Sequence, residues 1–166
     1  MTSVATPAKT ITIALAGNPN TGKTTLFNNL TGARQHVGNY PGVTVEKKEG
    51  RCRHAGTEIH VVDLPGVYSL TAAAVDELVA RNYLIEERPQ VVVNILDASN
   101  LERNLYLTLQ LIELGQPLVL ALNMSDVAQR RGIQIDAARL SRLLGAPVVP
   151  LVSTRNEGTR ALLDAV

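Results

Sequence analysis

Eight consecutive residues, Gly17-Asn18-Pro19-Asn20-Thr21-Gly22-Lys23-Thr24, match the pattern G-x-x-x-x-G-K-[ST]. Glycines at its ends let the backbone curl so that successive N–H groups face inward toward an anion, and a helix beginning there adds its positive dipole. Lys23 then reaches the β and γ phosphates of a nucleotide, Thr24 offers its hydroxyl to Mg²⁺, and Thr25 continues the cradle. The chemistry is binding of a nucleoside triphosphate. The loop does not choose the base, and a glycine-rich turn without ligand is the competing reading.

Asn123-Met124-Ser125-Asp126 narrows the choice. A carboxylate at Asp126 accepts two hydrogen bonds from the N1–H and exocyclic amine of guanine. Adenine has an acceptor at N1 and no amine at C2, so it leaves that carboxylate unpaired. The competing reading is a helix N-cap, which Ser125 and Asp126 also suit. A third site is Asp63-Leu64-Pro65-Gly66, where Asp63 holds Mg²⁺ through water and the Gly66 N–H bonds the γ-phosphate. Taken alone, the same residues read equally as a turn ending a strand. Val67 follows, and a valine cannot hold an attacking water by hydrogen bonding. Either nothing is hydrolysed or the help comes from elsewhere.

Gly42, Val43, Thr44 and Val45 fall in a polar, glycine-rich stretch, QHVGNYPGVTVE, that suits a mobile loop, with Thr44 as second Mg²⁺ ligand. Val152, Ser153 and Thr154 end a strand where their backbone can contact the base. His36, His54 and His60 show no metal-ligand spacing, and Arg34 reads as a surface arginine rather than an arginine finger.

The elements that position these residues alternate. Thr10 to Ala16 reads as a buried strand running into the phosphate loop, and Lys23 to Leu30 as the helix after it. Val43 to Arg53 and Thr57 to Asp63 flank His54-Ala55-Gly56 as an antiparallel hairpin. VVVNILDA, PLVLALNM and VVPLV are apolar strands; helical spacing runs through LERNLYLTLQLIELG, Thr71 to Glu87 and Asp136 to Leu144. This order predicts an α/β fold: a mostly parallel sheet of six strands with one antiparallel hairpin strand, helices on both faces, and ligands at the carboxyl ends of the strands. Residues 1–9 read as a flexible lead-in and 10–166 as one nucleotide-binding domain. The closing GTRALLDAV begins a helical pattern and stops short, as expected of a piece of a longer protein.

With 166 residues and a net charge of +1, the chain gives no electrostatic reason to expect nucleic acid as a partner. Its single Cys52 cannot form an internal disulfide and suits a reducing compartment. No apolar run approaches the roughly 18 residues of a spanning helix.

GNPNTGKTTLFNNLTG, VGNYPGVTVEKKEG, DLPGVYSL, DASNLERNLYLTLQL and ALNMSD together resemble the amino-terminal GTPase domain of the bacterial ferrous iron transport protein B (FeoB) family, over Ile11 to Val152. The resemblance implies a P-loop GTPase (Ras-like) fold that binds GTP and GDP with Mg²⁺ and hydrolyses GTP slowly. It implies a place at the cytoplasmic face of the bacterial inner membrane, with a helical regulatory domain, a transmembrane iron-permease region and a possible homo-oligomer as partners. Family members carry a hydrophobic residue in place of a catalytic glutamine, as Val67 is here, and some such GTPases are activated by K⁺. On that resemblance Asn20, Gly38 and Tyr40 are the potassium ligands, the last two through backbone carbonyls; read on its own, Asn20 is a turn residue. Tyr40 stands where many members have tryptophan, and STRNEG lacks the family's common Ala-Lys, which leaves Arg155 either over the base or exposed. A guanine-nucleotide sensor that does not hydrolyse, and a ribosome- or tRNA-associated GTPase, are the alternative functions.

Overall fold

Large and small apolar residues alternate along the first strand, and that alternation decides how each face of the sheet is filled. The computed structural model describes residues 8–166. In β1 (Thr10–Gly17), Ile13 and Leu15 turn to one face, where they pack with Leu26, Phe27 and Leu30 of α1 (Lys23–Thr31) and Leu162 of α6 (Thr159–Ala165). Ala14 and Ala16 turn to the other, leaving room for Tyr83 and Leu84 of α2 (Val75–Glu87) and Leu107 and Leu111 of α3 (Leu101–Glu113). Phe27 is fully buried, and its removal would cost about 3–5 kcal/mol.

The sheet has seven strands, ordered β2-β3-β4-β1-β5-β6-β7. β4 (Thr57–Asp63), β1, β5 (Val91–Asp97), β6 (Leu118–Asn123) and β7 (Val148–Pro150) run parallel, whereas β3 (Glu46–His54) is antiparallel to β4 and to β2 (Gln35–Asn39). The loops after β1, β4 and β6 therefore leave from one edge, which places residues 17–24, 63–66 and 123–126 side by side. On β5, Asn94 is wholly buried but satisfied: it accepts from the Thr108 hydroxyl at 2.6 Å and donates to the Ala16 carbonyl at 3.3 Å.

Four elements differ from the sequence expectations. The seventh strand, β2, lies in the stretch expected to be a mobile loop; all five of its residues are exposed, so it is held by its ladder to β3 and leaves no apolar signature. The hairpin strand begins at Glu46 rather than Val43, because Tyr40 makes the bonds of the intervening turn: its N–H donates to the Val45 carbonyl (2.9 Å) and its carbonyl accepts from the Val43 N–H (3.3 Å). The second helix begins at Val75 rather than Thr71. Its Glu77 carboxylate accepts from the Thr71 hydroxyl (2.9 Å), the Ala73 N–H (3.0 Å) and the Ser69 hydroxyl (3.2 Å), which fixes the preceding segment as a capping loop and lowers the Glu77 pKa. Finally, α4 (Ser125–Arg130) follows β6 directly, ahead of the expected α5 (Ala137–Leu144), so Ser125 and Asp126 open a helix as well as belonging to the candidate base site. Residues 1–7 of the expected lead-in lie outside the described residues.

Candidate functional site

The phosphate loop is shaped by two left-handed residues, Asn20 (φ 63°) and Gly22 (φ 86°), immediately before α1. Asparagine tolerates this region and glycine occupies it freely. Gly22 has a second constraint: a Cβ there would lie 2.3 Å from the Asn123 amide nitrogen. Around the loop lies a cavity of about 540 Å³ lined by Asn18, Pro19, Asn20, Gly22, Lys23, Thr24 and Gly66. Thr25, half-buried, sits in the first turn of α1.

Lys23, which lines this cavity, forms a buried ion pair with Asp63 at the end of β4. Burial raises the Asp63 carboxyl above its usual value, and the adjacent Lys23 ammonium opposes the shift. An ammonium and a carboxylate at the mouth of an N-terminal helix dipole are the groups needed for phosphate and for a hard divalent cation. After Asp63 the chain is tied back to the first strand. The Leu64 N–H donates to the Leu15 carbonyl at 3.0 Å, Pro65 is half-buried, and Gly66 rests on Pro19, where a Cβ would come to 3.3 Å of the Pro19 Cα.

Val67 is buried, 5% exposed, among Ala16, Tyr40, Leu64 and Leu70, and its N–H donates to the Gly17 carbonyl at 3.1 Å. Its side chain serves the core under α2 and presents nothing to the cavity. The segment beyond it is tethered too: Arg103 lies 4.4 Å from the Tyr68 ring centroid, and the Leu70 N–H donates to Gln110 at 2.7 Å.

The base end is a web centred on Asn123, which is 2% exposed. Its amide donates to the Thr21 carbonyl (2.8 Å) and the Ser153 hydroxyl (2.9 Å), and its oxygen accepts the Ser153 N–H (3.0 Å). Asn29 of α1 adds a bond to the Ser153 carbonyl at 2.7 Å. Sequence reading missed Asn29, and nothing in its spacing marks it. Met124 is left-handed (φ 57°) and turns the chain into α4, so that the half-buried Asp126 carboxylate stands at the helix start, flanked by Arg130 (3.3 Å) and Arg155 (3.6 Å). Arg155 is thus exposed and lies against Asp126, the carboxylate expected to read the base. Val152 and Ser153 are buried and Thr154 is exposed, in a short 3-10 turn after β7. By contrast Asn18, 3% exposed, has neither amide atom hydrogen-bonded.

The structure does not bring Gly38, Tyr40, Gly42 or Thr44 to the phosphate cavity. Gly38 is paired opposite Lys47 in the edge ladder, the Tyr40 carbonyl is engaged by Val43, and Gly42 and Thr44 are exposed in the turn. Val43 and Val45 are half-buried against the α2 side of the core. Ladder bonds and the anchored Tyr40 hold this loop at the sheet edge. Among the described residues no group of three or more His, Cys, Asp or Glu could hold a metal, and no helix is long and apolar enough to cross a membrane.

Comparison with known proteins matches residues 11–166 to the model of the FeoB_N family, described as ferrous iron transport protein B. The chain is 56% identical over 162 residues to the Fe(2+) transporter FeoB of Salmonella typhimurium, covering 95% of this chain and 21% of that protein. The chain therefore spans about a fifth of the length of the curated relatives it matches. Among solved structures, the FeoB G-domain from Methanococcus jannaschii superposes with a TM-score of 0.85 at 53% identity, covering 95% of each chain. A mutant of S. thermophilus NFeoB bound to mGDP gives a TM-score of 0.90 at 46% identity, covering 95% of this chain and 60% of that one. With the phosphate loop, the DLPG turn and the NMSD web gathered at one sheet edge, and with likeness of this extent, the chain belongs to the FeoB family as its P-loop G domain.

Proposed function

We propose that the chain is the GTP-binding, slowly GTP-hydrolysing switch domain of a ferrous iron transporter, dependent on Mg²⁺ and activated by K⁺. The observation that carries the reading is the buried Lys23–Asp63 pair, which joins the phosphate loop to the end of β4 and supports the lysine as the group that reaches phosphate and the carboxylate as the one that holds the divalent cation. The Asn123 web fixes the same loop at its base end. GDP-bound relatives of closely similar structure support guanine nucleotide as the ligand.

In the reaction, water attacks the γ-phosphorus, the bond to the β–γ bridging oxygen breaks, and GDP leaves as inorganic phosphate forms. Lys23 neutralises charge between the β and γ phosphates, and the Gly66 N–H bonds the γ-phosphate. The hydroxyls of Thr24 and Thr44 with the Asp63 carboxylate are the hard oxygen donors Mg²⁺ prefers. Asn20, with the Gly38 and Tyr40 carbonyls, would hold K⁺ once the loop leaves the sheet edge. When bound, the two cations supply positive charge against the charge developing on the phosphate oxygens. Because the Val67 side chain is committed to the core, backbone groups of residues 38–44 orient the water. The loop therefore orders around GTP and is released after hydrolysis. In the remainder of the protein, a helical domain and a membrane-spanning iron permease, assembled as an oligomer, read that change from the cytoplasmic face of the inner membrane.

Phosphate release by the wild type and Asn20→Ala in KCl and in NaCl tests the proposal. We expect turnover at least about tenfold higher in KCl for the wild type and no potassium response in the variant, since the cation stands in for a transition-state charge; equal wild-type rates in both salts remove the potassium role. The burial of Val67 favours one second reading, a nucleotide sensor without hydrolysis, which predicts tight GTP binding and no phosphate release in either salt.

A further inference from the structure

Tyr40 lies in the exposed loop, between the exposed neighbours Asn39 and Pro41, yet is itself only 5% exposed. Its hydroxyl donates to the Asp63 backbone carbonyl at 3.1 Å, at the residue that begins the phosphate-sensing turn. Its ring meets Tyr83 of α2 edge to face, with centroids 6.3 Å apart. Lys47 of β3 places its ammonium 5.7 Å from the Tyr40 centroid and 5.8 Å from that of Tyr83. One side chain from the loop thus touches the end of β4, the helix after the sensing segment, and the hairpin strand. The buried carbonyl it satisfies belongs to the same residue whose carboxylate pairs with Lys23.

We infer that the Tyr40 side chain is a positioning residue that makes the 38–45 loop and the Asp63–Gly66 turn respond to the γ-phosphate and Mg²⁺ as one unit. The backbone carbonyl assigned to K⁺ accounts for none of this. A residue whose carbonyl alone mattered would not need a buried hydroxyl aimed at Asp63. With the link in place, a pull on Thr44 is transmitted through Tyr40 to the Asp63 carbonyl and through the ring contact to α2. Without it, Thr44 can move while Asp63 and Gly66 stay.

This inference rests on the proposed GTP switch, so its test reads nucleotide binding as well as turnover. Tyr40→Phe keeps the ring and its contact with Tyr83 but loses the bond to Asp63. We expect GDP affinity within about twofold of wild type, an Mg²⁺-dependent gain in GTP affinity reduced about fivefold, a value typical of one lost hydrogen bond, and a fall in turnover of at least that size. Val79→Ala, in the same apolar cluster but away from the bond, controls for core loosening and should lower Tm while leaving the Mg²⁺-dependent gain unchanged. A Tyr40→Phe protein with the wild-type Mg²⁺-dependent GTP gain overturns the inference, as does a Val79→Ala protein that loses the gain equally. If the wild type releases no phosphate, the hydrolytic reading fails, and the Mg²⁺-dependent binding comparison still decides the role of Tyr40.

Discussion

At the guanine end of the site, Asn123 makes three hydrogen bonds to Thr21 and Ser153, Asn29 adds a fourth from α1, and the participating side chains are buried or half-buried. At the β2 edge of the sheet, residues 38–45 run along an exposed strand and an open turn, joined to the core through Tyr40, Val43 and Val45. The first region is a fixed template, because every bond of its web lies between groups that folding has already placed. The second is exposed along most of its length and is held by the β2–β3 ladder and by Tyr40, so on the proposed function its movement has to break those particular contacts. On the proposed function, specificity falls to the first region and switching to the second.

The sharpest break at the rigid end is Gly22→Ala. The new methyl would overlap the Asn123 amide at a backbone angle that disfavours L residues, so we expect GDP affinity, measured by fluorescent-nucleotide titration, to fall more than about 100-fold. Asp126→Asn should weaken GDP by about 100-fold and improve binding of xanthosine diphosphate, whose C2 carbonyl can accept from the new amide. A competition assay with the two nucleotides checks the swap.

At the mobile end, Thr44→Ala is expected to leave GDP affinity within about twofold but to lower turnover about tenfold, which a kcat measurement at saturating GTP reads directly. Val67→Gln separates core from catalysis. A glutamine there would bury an amide without a partner, so Tm should fall by the equivalent of about 1–3 kcal/mol with no gain in turnover. The smallest effect belongs to the acid limb. Because burial raises the Asp63 pKa in the folded state, protonation comes more readily there than in the unfolded chain, so stability contributed by this group declines as pH rises from about 3.8 through the folded value. Asp63→Asn should remove that slope from thermal melts recorded across the acid range.

The Asn18 and Asn123 side chains show how little type and spacing say about energy. Both are buried asparagines of nucleotide-binding motifs, yet one makes no hydrogen bond and the other makes three. Motif spacing located the phosphate loop, Asp63–Gly66 and Asn123–Asp126 because each follows an apolar strand whose periodicity is visible in the chain. β2 and the early end of α2 were not legible. An edge strand with all residues exposed has no buried face to print a pattern, and the 71–74 segment reads as helix until Glu77 is seen to cap it.

By itself, then, the sequence determined the order of strands and helices apart from β2 and α4, and the position of the three motifs with the chemistry expected of them, because these depend on local periodicity and on functional groups a few residues apart. Only the tertiary structure decided the direction of Val67, the anchoring of Tyr40 on Asp63 and the closing of the Asn123 web on Ser153. The last two join residues 23 and 30 positions apart, and Val67 packs into a core built from β1, α2 and α3. Such contacts follow from how faces pack, which no short stretch of sequence encodes.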